Sequence, residues 1–137
     1  MAAWRREFLA RFPEYQTEAQ AAYYAGSLMP KPLFFILRDA LDAGDTEVAR
    51  KVITYSVWLI ERHLCAAELQ EDLLGEITNS RRVNDFLRCL TPGEFEVVKE
   101  YCLVSWWPQE QRNAKMRYLT STFGARRQQA DGEDRDP

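Results

Sequence analysis

An all-α fold follows from three observations on this 137-residue chain. Apolar residues recur at spacings of three and four along most of it. Strand signals, such as an alternating Val/Ile/Thr run or an Asn-Gly hairpin turn, are missing. Gly, Pro and Asp residues divide the helical stretches at short intervals. The expected architecture is a compact bundle or a short superhelical stack of about six helices. One domain is expected over residues 1–123, followed by a disordered charged tail over 124–137, GARRQQADGEDRDP, where periodicity ends.

Taken in order, Trp4, Phe8 and Phe12 at spacings of four define a short helix that stops near Pro13. Residues 14–25, rich in Ala and Gln, form a second stretch closed by Gly26. The Met29-Pro30-Lys31-Pro32 segment is extended or turned, because proline disfavours helix in the residue before it. Pro32 then opens a helix through Leu33, Phe34, Ile36, Leu37, Ala40 and Leu41. A turn at Asp42-Ala43-Gly44 precedes a long helix over 45–64. At about 100° per residue, Val48, Ala49, Val52, Ile53, Tyr55, Leu59, Ile60 and Leu64 share one arc of it. Trp58 falls on the opposite arc, among Glu47, Arg50, Lys51, Thr54, Glu61 and Arg62.

Leu69, Leu73 and Ile77 mark the next helix, and Val83, Phe86, Leu87 and Leu90 a further one. Thr91-Pro92-Gly93-Glu94 predicts a helix start, with Thr as N-cap, Pro at the first position and Glu closing a capping box. That helix carries Phe95, Val98, Tyr101, Cys102 and Ser105 on one face and ends before Pro108. Leu103 and Trp107 fall away from this face, beside Glu96 and Glu100. Residues 109–120 form one more short helix.

A net charge of −3 and an acidic pI argue against nucleic-acid binding, which calls for a basic stripe. Charge is uneven along the chain: residues 39–76 are acidic and 77–127 basic. The longest apolar runs are too short to cross a bilayer, and MAAWRREFLARF lacks the apolar core of a secretory signal. Cys65, Cys89 and Cys102 are odd in number and lack metal spacing, which fits reduced, mostly buried thiols in a cytoplasmic protein.

No catalytic, metal or cofactor site is expected. His63, the sole histidine, faces the apolar arc with Leu59 and is expected to be a packed or hydrogen-bonded structural residue, since no nucleophile motif accompanies it. Glu61 points to a different face from His63, and the Glu-x-x-His spacing of di-iron bundles is missing. Phosphate-binding glycine loops are also missing. Nothing holds a carboxylate in an apolar pocket in the way a glycosidase-like pair requires.

Binding features are better marked. Glu68, Asp72 and Glu76 stand at successive i, i+4 positions, flanked by Glu71. Each like-charge pair at this spacing costs about 0.2–0.5 kcal/mol. Either the ridge is a solvated face, with Arg81, Arg82 and Arg88 placed to neutralise it, or it meets a basic protein partner. Trp58, with Arg62 four residues on, presents a parallel choice. Another segment covers it, with Trp106-Trp107 the candidate, or it is held out as a binding hot spot.

The chain also resembles a family of small bacterial all-helical proteins over residues 8–103. The resemblance rests on Phe12-Pro13-Glu14, Leu33-Phe34 opening a helix, Gly44-Asp45 before a long helix, Glu71-Asp72-Leu73-Leu74, and the stretch that begins at Leu87 and closes at Tyr101. Proteins of that family look like immunity proteins, which neutralise a cognate toxin. The resemblance implies a non-enzymatic inhibitor that occludes a toxin's active surface, and it implies no catalytic residue. The expected contact set is Trp58, Arg62, Glu68, Glu71, Asp72 and Glu76, and the expected partner is a basic toxin domain, with no nucleic acid and no membrane. The alternative is a helical adaptor or regulatory module that uses the Trp58 face in a homodimer.

Overall fold

The architecture, a computed structural model, describes residues 2–17, 32–104 and 106–135. The described residues form seven helices and no strand, in one packed arrangement. These are α1 (Ala3–Arg11), α2 (Pro32–Ala43), α3 (Thr46–Glu61), α4 (66–78), α5 (Val83–Arg88), α6 (Pro92–Val98) and α7 (Gln109–Arg135). The expected helix over 14–25 begins with a 3₁₀ turn at Pro13–Tyr15, and its residues 18–25, with Met29–Lys31, lie outside the described residues.

Helix α3 is the axis of the fold. It packs against α1, α2 and α6, and Ala49, Val52, Ile53, Tyr55 and Leu59 are buried as the helical spacing predicts. Ser56 is buried with them and returns its hydroxyl to the Val52 carbonyl at 2.9 Å, the local solution open to a serine inside a helix. Phe8 stacks on Phe12 at 5.1 Å, Tyr55 meets the two rings tilted and edge-on at 5.9 and 6.2 Å to seat α1, and the Tyr55 hydroxyl donates to the Trp4 carbonyl at 2.6 Å.

The joint between α2 and α3 is built from two residues. Gly44 takes φ +70°, and the amides of Gly44 and Asp45 bond to the carbonyls of Leu41 and Ala40, which is a Schellman ending. Asp45 then caps α3 by accepting from the Val48 amide at 3.2 Å.

The end of α3 repeats this geometry without glycine. His63 has φ +55°, its amide bonds to Ile60, and the Leu64 amide bonds to Leu59. The expected packed His63 is therefore corrected. The helix stops at Glu61, and the left-handed turn carries His63 out of the apolar arc to an exposed position.

Helix α4 begins as α over Ala66–Glu68, widens to a π-helix over Leu69–Leu74 and returns to α over Gly75–Thr78. Helix α6 starts with the predicted capping box: Thr91 accepts from the Glu94 amide, and Glu94 accepts from the Thr91 amide. It ends earlier than expected, tightening to 3₁₀ over Lys99–Cys102 and turning extended at Leu103. The reason is tertiary. The Gln70 side-chain amide donates to the Leu103 carbonyl, so α4 satisfies a group that a longer α6 would have used, while the Thr78 hydroxyl returns to the Leu74 carbonyl of its own helix at 2.7 Å.

Helix α7 closes the arrangement against α5, with Leu119 buried and Phe123 stacked on Phe95 at 4.4 Å. Helix α7 runs from Gln109 through Gly124 to Arg135. Phe123 is the last of the described side chains packed on the core.

Candidate protein-binding surface

Helix α4 turns Leu69, Leu73, Leu74 and Ile77 into the core and leaves Glu71, Asp72 and Glu76 exposed, with Glu68 half-buried. Glu71 and Asp72 stand in the π segment of this helix, and Glu68 and Glu76 in the α turns on either side of it.

The arginines expected to neutralise this ridge are engaged elsewhere. Arg82 grips Asp42 with Nε at 2.6 Å and a terminal nitrogen at 2.9 Å. Arg81 lies 4.0 Å from the same carboxylate, and Arg88 pairs with Asp85 at 3.7 Å. The Arg82 hydrogen bonds hold the Asp42 carboxyl below its ordinary value. Among the described residues, none of the four acids of the ridge has an ion pair.

Trp58 is half-buried against the core, and its ring also meets two residues close to it in the chain. Tyr55 stacks on it at 6.2 Å, and the Arg62 guanidinium lies 4.4 Å from its ring centre. Arg62 also donates to the Trp58 carbonyl at 3.3 Å, so the pair is held in place on the surface. The Trp106-Trp107 stretch pairs with itself instead, edge to face at 6.4 Å, and Trp106 is 75 % exposed. Leu103 and Trp107, placed by the sequence on a helix, lie in the connector after the 3₁₀ turn.

Burial pushes the Cys65 thiol up to about 11, helped by the Glu68 carboxylate; burial also raises the Tyr55 hydroxyl. Burial raises Cys89 and carries Cys102 up to about 12, and all three cysteines are free thiols held away from the thiolate form that reacts.

One salt bridge went unseen in the sequence. Arg50, assigned to the solvent arc of α3, makes a two-nitrogen bond to Glu94 and donates to the Cys89 carbonyl at 2.8 Å. Burial works to raise the Glu94 carboxyl, and hydrogen bonds from Arg50 and Thr91 outweigh it, leaving it below its ordinary value. A capping box gives no hint of a partner 44 residues away.

Comparison of the chain with protein-family models, curated proteins and solved structures finds no match. What fold and surface define is an all-helical module. Among the described residues, no helix is long and apolar enough to cross a membrane, and no cluster of His, Cys, Asp and Glu could hold a metal ion.

Proposed function

We propose that this is a non-enzymatic protein-binding module whose acidic ridge docks on a basic surface of a partner. The observation that carries the reading is the ridge itself: four carboxylates on α4 with no ion pair among the described residues, and the nearby arginines committed to Asp42 and Asp85. A row of unpaired like charges costs stability in isolation and is repaid when an opposite surface arrives, through faster encounter and rejection of wrong partners. Trp58 and Arg62, already stacked, would add an aromatic anchor at little ordering cost.

In the narrower form suggested by the sequence resemblance, the protein is a bacterial immunity protein, cytoplasmic, and the basic surface is the active cleft of a toxin. The test is calorimetric titration against the product of the adjacent upstream gene, with wild type and with E68K/D72K/E76K. Binding that weakens with salt and falls at least about tenfold in the triple variant, or about 1.4 kcal/mol, supports the ridge. Unchanged affinity removes the ridge from the interface. If that neighbour is not toxin-like and does not bind, the immunity reading falls.

A further inference from the structure

An apolar groove of about 350 Å3 runs beside α2, bounded by Phe35 and Ala43 on that helix, Tyr15 on the turn after α1, and Val48 in the first turn of α3. Phe35 is 51 % exposed. Its ring stands edge-on to Phe34 at 5.6 Å and carries the Arg38 guanidinium 4.8 Å from its centre, so it is ordered although uncovered. The volume lies near the lower end for ligand clefts, about 300–1,000 Å3, which suits a few aliphatic side chains.

Among the described lining residues, the two that carry charge at neutral pH are carboxylates, Asp39 and Asp45. Asp39 bonds to its neighbour Arg38 at 3.0 Å, an exposed pair of little worth. Asp45 spends one oxygen on the Val48 amide, and exposed Glu47 follows two residues on. The Arg38–Asp39 pair balances its own charge at one edge, and Asp45 and Glu47 leave the opposite edge acidic, so the groove is complementary to an amphipathic segment carrying Lys or Arg on one side of its apolar stripe.

We infer that this groove docks a basic amphipathic helix from a partner protein, with apolar side chains against Tyr15, Phe35 and Val48 and a Lys or Arg facing Asp45 and Glu47. A second copy of this chain is a poorer occupant. In α7, where basic residues are concentrated, Lys115 bonds to the Thr78 carbonyl at 2.6 Å and Leu119 is fully buried, so that basic-apolar stripe is already used within the molecule. The inference goes beyond the acidic ridge and does not require it.

The experiment is an amide chemical-shift titration of the full chain with a short synthetic helical peptide bearing Leu at i and i+4 and flanking Lys. Two control peptides replace Leu by Ser or Lys by Glu. The expected result is saturable shifts centred on Phe35, Ala43 and Val48, weakened by salt and by either control. Ala43→Arg places a cation in the groove at an exposed helix end that favours positive charge, so it should leave the fold intact and weaken binding about tenfold. Equal binding of the Glu peptide, insensitivity to Ala43→Arg, or shifts confined to residues 68–76 would overturn the inference. So would concentration-dependent shifts at residues 35, 43 and 48 without peptide, which would make a second copy the occupant. E68K/D72K/E76K separates the two surfaces, because peptide binding survives it if the groove is the site.

Discussion

His63 and Cys65 both adopt left-handed backbone angles within three residues, φ +55° and +57°. Such a conformation costs an L-residue roughly 1–2 kcal/mol. It persists because the Schellman bonds at the end of α3 and the burial of Cys65 require the chain to turn there. His63→Gly should therefore raise the unfolding free energy by about 0.5–1 kcal/mol, less than the full strain because glycine loses more freedom on folding. Urea unfolding with an unchanged slope is the measurement. A loss of stability would mean that the imidazole itself holds something.

Glu94 yields a second prediction at this scale. Its carboxyl lies below its ordinary value in the folded protein, after burial is outweighed by Arg50 and Thr91. The stability it contributes is present above the unfolded value, near 4.5, and is lost as pH falls through the lower folded value. Stability of the wild type should thus decline below about pH 4.5 more steeply than that of Glu94→Gln. Parallel pH profiles for the two proteins would contradict this.

At the scale of the element, the π segment of α4 depends on Gly75. The Gly75 amide bonds to the Gln70 carbonyl, and a Cβ at position 75 would stand only 2.2 Å from that same oxygen. The obstacle is backbone, so it cannot be relieved by rotating a side chain. Gly75→Ala should destabilise the protein by about 1–3 kcal/mol, the range for overpacking a filled site. It should also disturb the Gln70 bond to Leu103, visible as amide shifts in residues 99–104. A neutral Gly75→Ala with no shift there would show that α4 has room to return to α geometry.

On the scale of the whole molecule, charge is sorted into regions. Acidic residues crowd the middle of the chain and basic ones follow, yet the fold pairs Arg81 and Arg82 with Asp42 and leaves the ridge on α4 without a cation among the described residues. Asp72→Lys should accordingly stabilise the isolated protein slightly, by about 0.2–0.5 kcal/mol for each like-charge pair it converts, even as it weakens docking. Thermal unfolding at low and high salt checks this, since the gain should shrink as salt screens the pairs. Destabilisation by the substitution would mean that the ridge is already paired within the fold.

The sequence by itself determined the elements whose causes are local. The 3.6-residue spacing in α2 and α3 marked the residues that are buried, Gly44-Asp45 marked the joint between them, and Thr91-Pro92-Gly93-Glu94 marked the capping box atom for atom. It also marked the acidic ridge, since spacing along one helix is enough to align side chains. Only the tertiary structure decided what depends on contacts distant in the chain. Arg50 was drawn from the solvent arc to Glu94, and the 3₁₀ turn that follows α6 stops at Cys102, where the Gln70 side chain takes the Leu103 carbonyl. Trp58 was settled by a mixture of the two: Tyr55 and Arg62, three and four residues away, hold it half-buried on the surface. Periodicity records which way a side chain points from its own helix. Hydrogen bonds and ion pairs between helices decide where that helix stops and which polar groups stay unpaired, because a buried donor or acceptor must find a partner wherever the fold supplies one.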